Sequence, residues 1–317
     1  IKLARLKREE AERFGVDERS IQRDIDELRA FLDERAVSAS KESRTIEYDR
    51  TKKGFFLKGN EGALLSNSEI LAVSKILLGS RAFTKKEISA ILDKLVSGCV
   101  PQKNLKLVSE LIANEKYHYA ELRNCSSIGD KLWTLGDNIK KCEMMELVYQ
   151  KQVKGTEKIV RIVEPVALQF SEFYFYLHAY IVEKNGSVYK HKYDYPAIFR
   201  LDRIIDYKNI GQKYKTIYVD RFQEGEFRKR IQFMFSGQLE KVQFRYKGNN
   251  IDAILDRIPS ASIIREDADE YLVEAEVYGK GILMWLLSQG KSVVIQKPDS
   301  LREEMKEMLR EMLENYR

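Results

Sequence analysis

The sequence predicts a mixed α+β protein built from several small domains. Three observations carry this. Apolar residues recur at helical spacing over 6–34 and again through the middle of the chain. Between about 145 and 207 they alternate at strand spacing, and over 229–317 the two periods mix. A length of 317 residues asks for two or three domains rather than one.

Composition narrows the class. A hydrophobic fraction of 44% is ordinary for a globular protein, and a charged fraction of 33% is high. A net charge of +6 and an isoelectric point near 8.9 mildly favour a polyanionic partner. Residues 139–215 hold 14 basic and 9 acidic groups, and 9 of the 17 tyrosines. That concentration marks an anion site with stacking groups. Cys99, Cys125 and Cys142 are far apart and odd in number, so neither a disulfide framework nor a metal site is expected. No apolar run approaches the ~20 residues of a membrane span, and no secretory signal opens the chain. The expectation is a soluble cytoplasmic protein without cofactor, with further sequence before Ile1.

The segment 6–34, LKREEAERFGVDERSIQRDIDELRAFLDE, reads as helix, tight turn, helix. Gly15 stops the first helix, Val16 plugs the turn and Asp17 caps the second. Ile21, Ile25, Leu28 and Leu32 repeat at helical spacing and should face inward. Arg19, Ser20, Gln22 and Arg23 are then left outside, in the first turns of the second helix. DNA readers of the helix–turn–helix type put that part of the helix into the major groove, where Arg and Gln pair with base edges. The competing reading is a solvated helical hairpin. Residues 37–59 alternate as two strands around a polar turn carrying Arg50, Lys52 and Lys53, a basic hairpin able to touch phosphates. The segment resembles the winged helix–turn–helix of bacterial regulators with an RDI..L recognition helix, here Arg23, Asp24, Ile25 and Leu28.

Residues 66–149 have recurrent helical spacing in three stretches, with Ser68–Glu69 and Thr84–Glu87 as start signals. Their Leu and Ile rows are packing residues of a helical linker that transmits geometry or dimerises.

A series of short strands with turn signals follows, dense enough for a small barrel. In FYFYLHAYIV, residues 173–182, Phe173, Phe175, Leu177, Ala179 and Ile181 alternate with Tyr174, Tyr176, His178 and Tyr180. One face is core and the other is a row of aromatic groups. Asn185–Gly186 makes a hairpin turn to the next strand. Phe175-Tyr176-Leu177, followed by FRLDRI from Phe199 to Ile204 and preceded by R.VEP from Arg161 to Pro165, resembles the WYL domain, an Sm-like β-barrel of bacterial transcription regulators. Two departures stand out: the family's leading Trp is Phe175, and the basic residue often found two positions before Phe199 is Ala197. Lys190, His191 and Lys192 are candidates to compensate.

The resemblance implies a sensor of an anionic ligand, a single-stranded oligonucleotide or a nucleotide. Arg161, Tyr176, His178, Tyr180, Arg200 and Arg203 are its candidate contacts, with rings to stack on bases and guanidinium groups for phosphates. The competing reading makes the tyrosines an amphipathic surface and pairs Arg203 with Asp202 or Asp206.

At the C-terminus, KVQFRYKG, YLVEAEVYG and GILMWLLSQG read strand, strand, helix. A buried strand, a Pro break and a terminal helix follow, with Ser300 and Glu303 as a capping box. Leu301, Met305, Met308, Leu309, Met312, Leu313 and Tyr316 form one apolar stripe. This unit resembles the α+β, ferredoxin-like extension that follows WYL domains.

The expected organisation is a winged helix–turn–helix over 1–60, a helical linker over 61–138, the Sm-like barrel over 139–215 and the extension over 216–317. An enzyme, such as a nuclease or hydrolase, would need clustered carboxylates, a metal constellation or an activated nucleophile. With three His, no HExxH and no P-loop, no catalytic residue is assigned. The reading is a ligand-responsive regulator that binds a double-stranded DNA operator as a homodimer, the alternative being a nucleic-acid-processing enzyme or accessory protein.

Overall fold

The computed structural model describes residues 7–38, 45–49, 54–58, 65–100, 104–123, 127–151, 157–186, 188–215, 222–267 and 270–317. It is a mixed α+β chain with three antiparallel sheets among the described residues. The chain divides into two compact units, Ile1–Leu78 with Ser89–His118, and Gly79–Ile88 with Tyr119–Arg317.

In the first unit, α1 (Lys7–Phe14) and α2 (Glu18–Ser38) precede a hairpin of β1 (Thr45–Asp49) and β2 (Gly54–Lys58). Gly15 turns at φ +65, a conformation cheap only for glycine. Asp17 takes the backbone N–H of Arg19, as an N-cap should. Two expectations fail. Val16 is 42% exposed and plugs nothing, while Leu28 is 52% exposed rather than inward. The inward row is shorter, because α2 buries only the stripe that meets α1 and the hairpin; Ile21, Ile25 and Leu32 are half-buried. The second helix also runs on to Ser38, past the expected strand start at 37. Arg29 joins helix to hairpin. Its Nε donates to the Ile46 carbonyl at 3.0 Å, Nη1 reaches Asp26 at 3.1 Å, and the guanidinium lies 5.7 Å from the Phe55 ring centre.

The helices α3 (Asn67–Ser80), α4 (Lys85–Cys99) and α5 (Leu105–Tyr117) occupy the middle of the chain. Thr84 and Glu87 form the expected capping box at 3.0 and 3.2 Å. For α3 the box uses Ser66, not Ser68: Ser66 N–H donates to Glu69 at 2.6 Å and Glu69 N–H to Ser66 Oγ at 3.3 Å.

The second unit holds the larger sheets. Strands β3 (Glu143–Gln150), β4 (Lys158–Ser171), β5 (Tyr174–Asn185), β6 (Val188–His191), β7 (Ala197–Arg200) and β8 (Ile204–Lys213) pair in the order β6-β5-β4-β3-β8, with β7 also on β5. One face buries Met145, Leu147, Val163, Leu177, Ala179, Phe199 and Leu201. The helix α6 (Gly129–Lys141) lays Leu132, Leu135 and Ile139 on that core, so it packs with the sheet although its sequence reads as linker.

The C-terminal part runs α7 (Glu224–Arg230), β9 (Leu239–Tyr246), α8 (Ile251–Arg257), β10 (Ala261–Asp267), β11 (Glu270–Tyr278), α9 (Gly281–Ser288), β12 (Val293–Lys297) and α10 (Asp299–Glu314). From β9 to β12 this is the β–α–β–β–α–β order of a split β–α–β unit, with strand order β10-β11-β9-β12. The segment after α7 crosses the β11–α9 turn at closest approach. A side chain on Gly237 would strike Gly279, and one on Gly281 would strike the Gln232 carbonyl. The expected Ser300–Glu303 box is absent, because α10 starts earlier, at Asp299 after Pro298, which places Ser300 inside the first turn. Glu303 instead pairs with Lys306 at 2.7 Å. Of the apolar stripe, Leu301 is buried and Met305 and Met308 pack on the C-terminal core, whereas Leu309, Met312, Leu313 and Tyr316 are exposed.

The two caps give a paired test by urea denaturation. Thr84→Ala should cost about 1 kcal/mol by removing a formed box, while Ser300→Ala should stay within about 0.5 kcal/mol of the parent.

Candidate ligand-binding cleft

The geometry begins with parity. On β5, Leu177 and Ala179 are fully buried in the core, so Tyr174, Tyr176, His178 and Tyr180 leave on the other face. That face is not uniform; it falls into three stretches.

The first stretch is Tyr174 and Tyr176. Tyr176 pairs across the sheet with Arg200 of β7 and with Gln169 of β4. After β7 the chain makes a 3₁₀ turn, Leu201–Arg203, between two anchors: Phe199 and Leu201 are buried on the inner side, and Ile204 re-enters the core. Lys131 of α6 holds this turn, donating to the carbonyls of Leu201 at 3.3 Å and Ile204 at 2.7 Å. Arg200, Asp202 and Arg203 are thereby turned outward. Arg200 grips Asp202 with two hydrogen bonds, of 3.0 and 2.6 Å, and its guanidinium lies 3.3 Å from the Tyr174 ring centre. Burial works against the Arg200 cation, but the Asp202 carboxylate outweighs it and holds its pKa above the usual range. Burial likewise pushes the Tyr176 hydroxyl up, against the pull of Arg200.

Around this pair opens a cleft of about 640 Å³ lined by Arg81, Arg123, Lys151, Arg200 and Arg203, with Glu121 and Asp202 as the carboxylates among its described lining residues. Arg81 sits at φ +52, its Nε donating to the Ala120 carbonyl at 2.8 Å and its charge 5.6 Å from the Phe173 ring centre. The outcome is a basic concavity with Tyr174 in its wall, within the size range of small-ligand sites.

The second stretch is His178. It is fully buried, stacked on Phe222 at 5.9 Å and edge-on to Phe227 of α7 at 5.0 Å, with no partner for either ring nitrogen. Burial lowers its pKa to about 4. As the fold stands, α7 covers it, and it cannot touch a ligand.

The third stretch is Tyr180, stacked flat on His191 at 4.4 Å, with His191 Nε2 2.7 Å from Glu164. Burial raises its hydroxyl pKa, and Tyr278 and Glu164 add to that.

Of the six candidates, the fold therefore brings Arg200 and Arg203 into the cleft and sets Tyr176 beside it. His178 and Tyr180 are drawn elsewhere. Arg161 also stands apart, donating to the Val160 carbonyl at 3.0 Å with its charge felt at Lys192. Asp202 pairs with Arg200, not with Arg203. Tyr174, Arg81, Arg123 and Lys151 were missed. The alternation contained Tyr174, whereas nothing local marks the three cations. Neither Lys190, His191 nor Lys192 lines the cleft in place of the basic residue that Ala197 lacks. Phe175 takes its Trp-like place inside the fold, packed on Phe170 at 5.1 Å and Phe83 at 5.9 Å.

On α2, Arg19 and Arg23 are exposed and Ser20 is half-buried. Gln22 spends its amide on Asp26, 2.9 Å from each carboxylate oxygen. Arg50, Lys52 and Lys53 lie outside the described residues.

Residues 130–209 match the WYL domain, and residues 239–313 match the WCX domain. The chain carries a WYL domain followed by a WCX domain. Its cleft arginines Arg200 and Arg203 fall within the WYL domain, and the split β–α–β unit is the WCX domain. No curated protein matches it. Among solved structures it is similar to proteasome accessory factor B/C of Arthrobacter aurescens at 16% identity, over 96% of this chain and 45% of that one, with a TM-score of 0.32. A CRISPR Cas-related protein matches at 17% identity over 81% of this chain and 75% of that one, with a TM-score of 0.40. The WYL–WCX chain thus spans less than half the length of the first. Among the described residues no helix is long and apolar enough to cross a membrane, and no three His, Cys, Asp or Glu side chains gather as a metal site.

His178 gives a pH test of its own. Its folded pKa near 4 lies below the ordinary 6.5, so the unfolded chain binds more protons between those values. The stability tied to the neutral ring is complete above pH 6.5 and is lost as pH falls toward 4. Between pH 7 and pH 5 the parent should lose about 2 kcal/mol more unfolding free energy than His178→Phe.

Proposed function

We propose that this WYL–WCX protein is a ligand-responsive, DNA-binding transcription regulator whose basic cleft takes a single-stranded oligonucleotide or a nucleotide. The observation that carries the reading is the cleft itself: five basic side chains against two carboxylates, in one concavity walled by Tyr174. Such a site suits phosphate, and a tyrosine ring accepts any base without sequence preference. The matches to the WYL and WCX domains agree with it. In this reading Arg200 is a fixed part, its charge already shared with Asp202 and its plane braced on Tyr174. Arg203, Arg81, Arg123 and Lys151 then supply the charge that attracts the ligand, Lys151 less than the others because Glu157 stands 3.7 Å from its Nζ.

The DNA-reading head is residues 1–60, a winged helix–turn–helix with Arg19 and Arg23 toward base edges and Arg50, Lys52 and Lys53 on phosphates. One recognition helix reads only a few base pairs, so the protein acts as a homodimer on a paired site. It performs no catalysis; it converts ligand occupancy into a change in operator binding.

Titration of the full chain with short single-stranded oligonucleotides and with mononucleotides tests this. The parent should bind with a marked salt dependence. Arg203→Ala should weaken binding about tenfold and flatten the salt slope while leaving the unfolding midpoint in place. Absence of binding to every probe in the parent would end the sensor reading. On an operator obtained by selection from random duplexes, Arg23→Ala should cost on the order of 1–3 kcal/mol and relax sequence preference. Incubation of labelled oligonucleotides with divalent metal should give no cleavage; turnover would favour the nuclease alternative.

A further inference from the structure

The tyrosine face has a second concavity that the basic cleft does not include. Directly across the sheet from Tyr176, on the side away from Arg200, stands Gln169 of β4. It lines a cleft of about 380 Å³ formed by the end of β4, the segment after α7 and the end of α8. In size this reaches the lower range of small-ligand pockets.

Its chemistry differs from that of its neighbour. Arg228 and Arg257 are balanced by Glu172 and Asp256, and Arg257 is already paired with Glu172 at 3.2 Å, so the cleft carries no net charge. Two amides dominate its floor. Gln169 is 3% exposed and Gln232 is 4% exposed. The Gln169 carbonyl oxygen is enclosed without a hydrogen-bond donor, a state that costs about 1–3 kcal/mol for a buried polar group. Gln232 Nε2 makes only a long contact, 3.4 Å, to the Arg257 carbonyl. An aromatic side chain, Phe233, lies at the wall, 39% exposed and held at φ +49, with the next residue Met234 at φ +56. Two successive non-glycine residues in the left-handed region are costly and recur where a fold presents groups to a ligand.

An uncharged slot with buried amides and a presented ring is suited to a nucleobase, because amides pair with base edges and rings stack on base faces. Gln169 and Arg200 lie on β4 and β7 with β5 between them, about 10 Å apart at two strand spacings. That is the scale of one nucleotide.

We infer that the Gln169 cleft is a nucleobase subsite, reading the edge of the base next to the phosphate held in the Arg200 cleft, with Tyr176 between the two. This rests on the proposed function of the basic cleft and goes beyond it, since it makes the sensor responsive to the presence of a base and not only to charge. Each standard base has an edge N–H able to donate to the Gln169 oxygen, which an abasic site lacks.

The test titrates the full chain with four tetradeoxynucleotides, the homopolymers of adenine, cytosine and thymine and an abasic tetramer with the same phosphates. The parent should bind at least one base-bearing tetramer about tenfold more tightly than the abasic one. Gln169→Leu should bring that preference below about threefold and leave abasic binding unchanged. Phe233→Ala, at an exposed position that the core does not need, should do the same and guards against a folding defect at Gln169. Arg203→Ala should weaken all four probes in equal proportion. If the parent binds abasic and base-bearing tetramers alike, or if both cleft variants keep its preference, the nucleobase subsite is wrong and the phosphate site stands. If the parent binds none of the four, the basic cleft is no nucleic-acid site and both readings fall.

Discussion

Everything proposed for this protein depends on one arginine being held still. Arg200 is pinned by two hydrogen bonds to Asp202 and by the face of Tyr174, and the turn that carries it is fastened from behind by Lys131. A guanidinium free to rotate gives up side-chain entropy when it binds; this one has given it up already. The cost falls on the carboxylate. Asp202 cancels the charge of Arg200, so attraction for an anion has to come from Arg203 and from cations outside the motif. The rest of the cleft supplies them, Arg81 from the loop after α3, Arg123 from the segment before α6 and Lys151 from the end of β3.

This division of labour explains which parts of the site could be read from the chain. Alternation on β5 identified both faces of the strand, because period two is a local property that survives any tertiary arrangement. Arg200 and Arg203 came from the FRLDRI resemblance, and the 3₁₀ turn that presents them was not read from the chain. Arg81 and Arg123 announced nothing, since they are brought to the cleft by packing between distant segments. His178 was misplaced for the converse reason. Its parity is that of the tyrosines, but Phe222 from the segment before α7 and Phe227 from α7 itself, both far along the chain, cover it.

The capping boxes show the same limit at smaller scale. Thr84 and Glu87 formed the pair their spacing suggested, while Ser300 and Glu303, at the same spacing, did not. The difference is one of register: the turn at Pro298 starts α10 early enough that Ser300 is already inside it. In α2, likewise, the apolar period correctly marked a helix. It overstated the width of the buried stripe, because a small helical pair with a two-stranded hairpin has too little surface to cover Leu28.

The glycine crossing behind α7 reaches beyond packing. Gly237, Gly279 and Gly281 let the segment after α7 lie directly on the backbone of the β11–α9 turn, and Ile231 bridges to Tyr278 of the same sheet. Mechanically, then, α7 belongs to the WCX domain, although its Phe227 closes over a residue of the WYL domain. The two domains are therefore not interchangeable parts. A lineage that exchanged its C-terminal domain for another would expose a buried imidazole, and one that lost the glycines would lift the cover from it. Such a joint couples the two domains physically: a change of shape at position 178 is felt by Phe227 of α7, and a change in α7 by the imidazole.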